Sequence, residues 1–234
     1  MKFIILLAGI GSRLGNPFPK CLTPIGDNVP ILGHQLSNIK KFNGEVIGVV
    51  GFKKEYIMEY YPKMLFVYNS RYAETNTSQS LLCALNFIKH EDVLWMNGDI
   101  VFDPEIINKL IECPYSSMAV LKKAVGDEEV KFTVDEKGFI SNVSKNIQNG
   151  LGEAIGINII KAKDLETFKK FLLNCNDHDY FEKGLELAIQ SSELVLCPVD
   201  VTPFRCIEID FEEDLRKAKT LFGFDEKNKQ RLFH

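Results

Sequence analysis

Long apolar stretches are absent from this 234-residue sequence. No run reaches the ~20 apolar residues that a membrane-spanning helix needs. A basic surplus is absent too: the formal net charge is -4, whereas nucleic-acid binders carry clustered positive charge, so no nucleic acid is expected among the partners. The six cysteines, at 21, 83, 113, 175, 197 and 206, form no CxxC pair, and the four histidines do not cluster near them. Neither a zinc site nor a disulfide framework is expected. The cysteines read as small buried apolar side chains in a reducing cytoplasm, the expected location. Internal repeats and low-complexity linkers are also missing. Lys2 and the apolar residues 3–7 have the outline of a secretion signal, but the run is shorter than an h-region of ~7–15 residues and no A-x-A-like site follows. A first strand is expected instead.

What is present is enough apolar material for a sizeable core, 45% of the residues, and a clear rhythm. FIILL (3–7), EVIGVV (45–50), MLFVY (64–68) and DVLWM (92–96) read as strands buried on both faces. Helical patterns at 31–42, 53–61 and 78–90 separate them. This alternation implies an α/β fold, Rossmann-like, with a mostly parallel sheet flanked by helices. After residue 113 come short β-like runs, SSMAVLKK, VKFTVDEKG, FISNVSK and EAIGINII, with DEKG resembling a hairpin turn. Helices at 104–112, 161–173, 180–190 and 211–221 and a strand near 193–198 complete the pattern. The second half reads as a continuation of the same sheet. One domain over 1–224 and a polar tail over 225–234 are expected.

The opening, MKFIILLAGIGSRLGNPFPKCLTPIG, runs a buried strand into a glycine-rich turn followed by two cations. Ligands of open α/β sheets bind at such strand ends. Glycines let backbone N–H groups approach phosphate oxygens, and Arg13 and Lys20 add charge, arginine as a bidentate fork and lysine as a point charge. A dinucleotide fingerprint needs glycine where Leu14 stands, and no P-loop string occurs.

LAGIGSRLGNPFPKCLTPIG resembles the signature of the nucleotidyltransferase superfamily that makes nucleotide sugars and CDP-alcohols, roughly L-A-x-G-x-G-x-R-L followed by P-K-x-L-x-P. Leu7, Ala8, Gly9, Gly11, Arg13, Leu14, Pro19, Lys20, Leu22 and Pro24 match it. The segment between Leu14 and Pro19 is shorter than in many sugar-phosphate members. The resemblance implies the nucleotidyltransferase (GT-A-like) fold and catalytic roles for Arg13 and Lys20. It also implies nucleotide contacts from Leu7, Ala8, Gly9 and Gly11.

Charge neutralisation at a transferring phosphate calls for Mg²⁺ held by carboxylates. Asp99, just past a buried strand in WMNGDIVFD, and Asp210, after a short strand in CIEIDFEEDLRKA, match the superfamily's two metal aspartates. Each also has a plainer reading as a turn former or helix cap. Asp103 before Pro104 reads as the N-cap of the 104–112 helix. Glu208, Glu212, Glu213 and Asp214 read as a solvated or capping set.

YNSRYAETNTSQSLLCAL (68–85) places Asn76, Thr77, Ser78 and Ser80 at a helix start. Capping accounts for them as well as ligand contact does. The look of this loop is close to phosphocholine cytidylyltransferases and their relatives acting on phosphonates or phosphorylated amino acids. That likeness implies nucleotide contacts from Asn76, Thr77, Ser80 and Asn97. It implies acceptor contacts from Lys131, Glu153 and Tyr180, with edge-strand or surface placement as the alternative. Phe181 and Glu182, beside Tyr180, fit an acceptor site and a helix start with an apolar face equally well. No group of aromatics matches a quaternary-ammonium cage. The expected activity is Mg²⁺-dependent transfer of a nucleotidyl group, CMP from CTP, to a small phosphorylated acceptor with release of pyrophosphate. A sugar-1-phosphate nucleotidyltransferase using UTP, dTTP or GTP, or a non-catalytic nucleotide-binding regulator, stay open as alternatives.

Overall fold

The computed structural model describes residues 1–11, 14 and 17–224; the tail expected over 225–234 lies outside them. Strand β1 (Lys2–Leu7) is followed by a 3-10 turn, Lys20–Leu22, and a small hairpin, β2 (Pro24–Gly26) and β3 (Val29–Pro30). Helix α1 (Ile31–Ile39), β4 (Glu45–Val50), α2 (Lys54–Tyr60), β5 (Leu65–Tyr68), α3 (Thr77–Leu85) and β6 (Val93–Asn97) follow in strict alternation. Then come β7 (Ile100–Phe102), α4 (Glu105–Glu112), β8 (Ser116–Leu121), β9 (Lys131–Val134), β10 (Ile140–Ser144) and β11 (Glu153–Ile160). The last elements are α5 (Leu165–Leu173), α6 (Phe181–Gln190), β12 (Leu196–Asp200), β13 (Cys206–Glu208) and α7 (Glu212–Leu221).

Strands β5, β4, β1 and β6 lie side by side and parallel. Beyond β6 the sheet continues through antiparallel β11, which pairs with β9 at one end and β8 along the other, and β12 runs parallel to β8. The period of two in β1 explains its apolar run from Phe3 to Leu7. Phe3, Ile5 and Leu7 enter one buried cluster, and Ile4 and Leu6 enter another on the opposite face. In β6, Leu94 and Met96 join the first of these clusters and Val93 and Trp95 the second. Helices α1, α2 and α4 cover one face with Leu32, Ile57 and Leu110. Helices α3, α5 and α6 cover the other with Leu81, Phe168 and Leu185. Trp95 stacks on Phe168 and meets Phe181 edge-on, centroids 5.3 and 5.5 Å away.

This distribution positions the site. The chain leaves β1 over one face to reach β4, then returns from β5 over the other face, through α3, to β6 on the far side of β1. The reversal opens a crevice between the loops after β1 and β6.

The expected strands and helices are present with shifted ends. The 31–42 helix stops as α1 at Ile39, tightens into a 3-10 turn over Lys40–Phe42 and ends on Asn43, whose φ of 48° is left-handed. The DEKG turn joins β9 to β10, with Asp135 bonding Phe139 and Gly138 at φ 82°. Asp103 is not a side-chain cap of α4. The N-cap position is Pro104, and the Asp103 carboxylate instead accepts from the Arg205 backbone N–H, Nε and Nη2 at 2.7–3.1 Å. A fork-shaped guanidinium offers a carboxylate more than a helix end does. Among the described residues, no helix is long and apolar enough to cross a membrane.

Candidate active site

Residues from the ends of β1, β6 and β11 line a cleft of about 500 Å³. Gly11 stands on its floor with φ 64°, and a Cβ there would come within 2.9 Å of the Lys20 Cβ. Glycine is therefore required twice, for the left-handed backbone and for the close passage of Lys20. Pro19, the N-cap of the 3-10 turn, fixes where Lys20 departs.

Across the cleft, β6 ends at Asn97 and the chain turns through Gly98 and Asp99 into β7. Strand β7 pairs antiparallel with β13, setting Glu208 opposite Ile100, and the Ile209 N–H donates to the Asp99 carbonyl at 2.9 Å. This two-stranded ladder carries Asp210 to the same spot as Asp99. The Lys20 ammonium donates to both, 2.8 Å to Asp99 and 2.5 Å to Asp210. Burial works against the ammonium, yet the two carboxylates outweigh it and hold its pKa above the ordinary lysine value.

Glu208 is exposed, as expected of a solvated residue, and it also belongs to this group. Its carboxylate oxygen and those of Asp99 and Asp210 lie within 4.8 Å of one another. Partial loss of water at the cleft wall, and then the Asp99 and Asp210 charges, push the Glu208 carboxyl up to about 8. Asp214 does cap: its carboxylate accepts from the backbone N–H of Asp210 and Phe211 at the start of α7. Three hard oxygen donors suit a dication such as Mg²⁺. The Asp99 Oδ1 is buried with no hydrogen-bond partner among the described residues, which fits the same use. Cys21 also lines the cleft, but burial pushes its thiol up to about 12 and leaves it inert.

The remaining expected residues divide. Leu7, Gly9, Thr77, Asn97, Glu153 and Tyr180 line the cleft. Asn97 sits against Gly156, where φ is 71° and a Cβ would come within 2.5 Å of the Asn97 Nδ2. The β11–β8 register shifts between Ala154 and Asn158, so β11 bends around this point. Ala8 is buried and its carbonyl accepts from the Phe52 N–H. Asn76 is the N-cap of α3, its side chain accepting from the Thr77 N–H at 2.8 Å. Ser80 accepts from Asn69. Lys131 is 6% exposed and its ammonium donates to the Lys145 carbonyl at 2.9 Å, so it does not line the cleft. Arg13 lies outside the described residues. Glu182, for which the sequence leaves a plain helix start equally open, lines the cleft beside Tyr180 and is 7% exposed. Burial pushes its carboxyl up to about 7.

Known proteins share this architecture and parts of this sequence. The bifunctional protein GlmU of Methanococcus maripaludis is 35% identical over 168 residues, 69% of this chain and 39% of that protein. The chain thus spans about two fifths of the length of that relative. The CMP-5'-(3-aminopropyl)phosphonate synthase of Streptomyces rubellomurinus is 35% identical over 127 residues, 50% of this chain and 20% of that protein. The CTP:phosphoglutamine cytidylyltransferase of Campylobacter jejuni is 28% identical over 183 residues, 73% of this chain and 66% of that protein. Among solved structures, the inositol-1-phosphate CTP transferase of T. maritima superposes with a TM-score of 0.78 at 17% identity, covering 94% of both chains. The CTP:phosphocholine cytidylyltransferase of Streptococcus pneumoniae gives 0.78 at 21% identity, covering 94% of this chain and 98% of that one. The two solved structures are CTP transferases and share this chain's fold. The family model described as the MobA-like NTP transferase domain matches residues 3–152, more than half of the sequence, and the chain belongs to that family.

Proposed function

We propose that the chain transfers CMP from CTP to a small phosphorylated acceptor. The observation that carries this reading is the Lys20–Asp99–Asp210 cluster in a cleft that Gly9 and Gly11 also line. The triphosphate lies along the glycine turn, where main-chain N–H groups and the Lys20 ammonium meet its oxygens. Arg13, two positions after Gly11 in the sequence, adds a second cation. An acceptor phosphate or phosphonate oxygen attacks the α-phosphorus. The bond to the bridging oxygen of the β-phosphate breaks, and pyrophosphate leaves. The acceptor oxygen is already ionised at neutral pH, so no general base is needed. The protein aligns the two anions and offsets their charge.

Asp99 and Asp210, with Glu208 beside them, would hold Mg²⁺, which when bound neutralises phosphate charge. Every other part of the task falls to the chain's own groups. Lys20 holds phosphate oxygens, and Thr77 at the start of α3 and Asn97 present small polar groups to the base. Glu153 and Tyr180 border the acceptor. The choice of CTP is supported by the two relatives whose names specify a CMP product or CTP. The acceptors considered are phosphocholine, an aminoalkylphosphonate and an amino-acid phosphate such as phosphoglutamine.

The test is pyrophosphate release by the purified chain with Mg²⁺, each of CTP, UTP, GTP, ATP and dTTP, and a library of phosphate and phosphonate acceptors, with product masses recorded. The expected result is a CMP-linked product formed fastest from CTP. Faster turnover of a sugar 1-phosphate with UTP, dTTP or GTP would replace the reading. Absence of product with every pair would refute it.

A further inference from the structure

Glu182 opens the first turn of α6 and is nearly fully buried, yet its Oε2 has no hydrogen-bond partner among the described residues. A buried carboxylate oxygen without a donor is destabilising, and such groups are uncommon in folded proteins. This one borders two connected spaces. The main cleft and a second hollow of about 520 Å³ share Val130, Lys145, Tyr180 and Glu182 in their walls.

The surrounding charge is mostly negative. Glu128, Glu129 and Glu153 line the cleft with Glu182. Glu153 is held by Lys123 at 2.7 Å, which removes it from the balance. Lys145 is the cation that bears on Glu182, and its ammonium rests 5.1 Å over the Tyr180 ring and 3.9 Å from Glu128. Lys131 is turned away onto a backbone carbonyl. The Tyr180 face thus already carries an ammonium group belonging to the chain.

Resting on the reading above, that this cleft passes a nucleotidyl group to a phosphorylated acceptor, we infer that the acceptor carries a primary ammonium group and that Glu182 receives it. The unpartnered Oε2 needs an N–H donor, which a primary ammonium supplies three times over and a quaternary ammonium not at all. Quaternary ammonium groups are recognised by several aromatic faces. Tyr180 is the only aromatic among the described residues that line the cleft. A neutral hydroxyl could donate to Oε2 but would leave the excess of carboxylates uncompensated. Burial holds the Glu182 carboxyl up at about 7, and an ammonium beside it restores the ionised form. The substrate class is therefore an ω-aminoalkyl phosphate or phosphonate, bound by its anion near Lys20 and by its cation at Glu182.

The experiment compares 3-aminopropylphosphonate, its amine-free analogue propylphosphonate, and phosphocholine. Each is measured twice with the full chain: as an acceptor with CTP and Mg²⁺, and by calorimetric binding without turnover. The amine is expected to exceed both others by about 30- to 100-fold in kcat/KM and in affinity. In Glu182→Gln that ratio is expected to fall to within about threefold, mainly through KM. Equal use of propylphosphonate or phosphocholine overturns the inference, and so does a ratio that survives in Glu182→Gln. Should Glu182→Gln fail to fold, the discrimination by the unmodified chain decides. If no acceptor turns over but the amine still binds selectively through Glu182, the reading of the reaction fails and the ammonium site stands.

Discussion

Lys20 and Asp210 stand 190 positions apart in the sequence, and their charged atoms meet at 2.5 Å. The contact closes the fold's first loop onto its last strand at the place where a triphosphate would lie. Lys20 also holds Asp99, so its ammonium bridges two carboxylates that would otherwise repel each other. Replacing Lys20 by Met should abolish pyrophosphate release, a loss of about 10³-fold or more. It should also lower the Tm in metal-free buffer, because two partly buried carboxylates lose this counter-ion, at a cost of about 1–3 kcal/mol. Mg²⁺ should restore most of that Tm while leaving turnover lost. A variant with near-normal turnover would remove Lys20 from the reaction.

Asp99→Asn and Asp210→Asn separate the acidic group from the cation. Each should fold, retain nucleotide affinity within about tenfold, and lose turnover by at least about 10²-fold. Titration with Mn²⁺, followed by its paramagnetic effect on water protons, should show weakened metal uptake in both. Unchanged uptake in either variant would show that the metal is held elsewhere.

Gly11 and Gly9 give a contrast in backbone demand. Gly11→Ala places a Cβ 2.9 Å from Lys20 in a left-handed backbone, whereas a Cβ at Gly9 meets nothing within 4 Å. The αL conformation alone costs an L-residue about 1–2 kcal/mol. Gly11→Ala should lower the Tm by several degrees and slow turnover about tenfold as Lys20 is displaced. Gly9→Ala should barely move the Tm. Equal melting of the two variants would contradict the left-handed turn at Gly11.

Much of this site can be read in the sequence, for local reasons. β1 is apolar from Phe3 to Leu7 because it is buried on both faces, and Gly11, Pro19 and Lys20 follow it closely. Asp99 stands directly after an apolar strand. Convergence of Asp99 with Asp210 is expected from the resemblance, but its cause is hidden: β7 and β13 are three residues each, and their pairing joins distant segments. Ladders this short leave no periodicity. The place of Glu208 in the cleft is hidden for that reason, since its register opposite Ile100 sets it there. Lys131 illustrates the opposite limit. Strand alternation says that a side chain points to one face, not that its ammonium will settle on the Lys145 carbonyl. Glu182 gives no signal that separates a site from a helix start, because its meaning lies in burial and a missing partner.

The buried Glu182 predicts a pH dependence of stability. Its carboxyl is held up at about 7 by burial, partly opposed by its own backbone N–H and then by Lys145, against an ordinary 4.5. Between those values the folded chain keeps a proton that the unfolded chain has released. Stability therefore falls as pH rises through this window and levels off above it, by a total on the order of 1–3 kcal/mol. Glu182→Gln removes the titration. Its Tm should gain on the unmodified chain steadily from about pH 4.5 to about 7.5. Parallel Tm profiles for the two would contradict a raised Glu182 pKa.

The most direct measurement follows the α-phosphorus itself. Incubate the chain with CTP labelled at the α-phosphate, Mg²⁺ and a reactive acceptor, then separate the products. The label should pass entirely into the acceptor-linked nucleotide, with one unlabelled pyrophosphate released for each transfer. Label left in CDP with the terminal phosphate on the acceptor, or released as free CMP whether or not acceptor is present, would contradict nucleotidyl transfer.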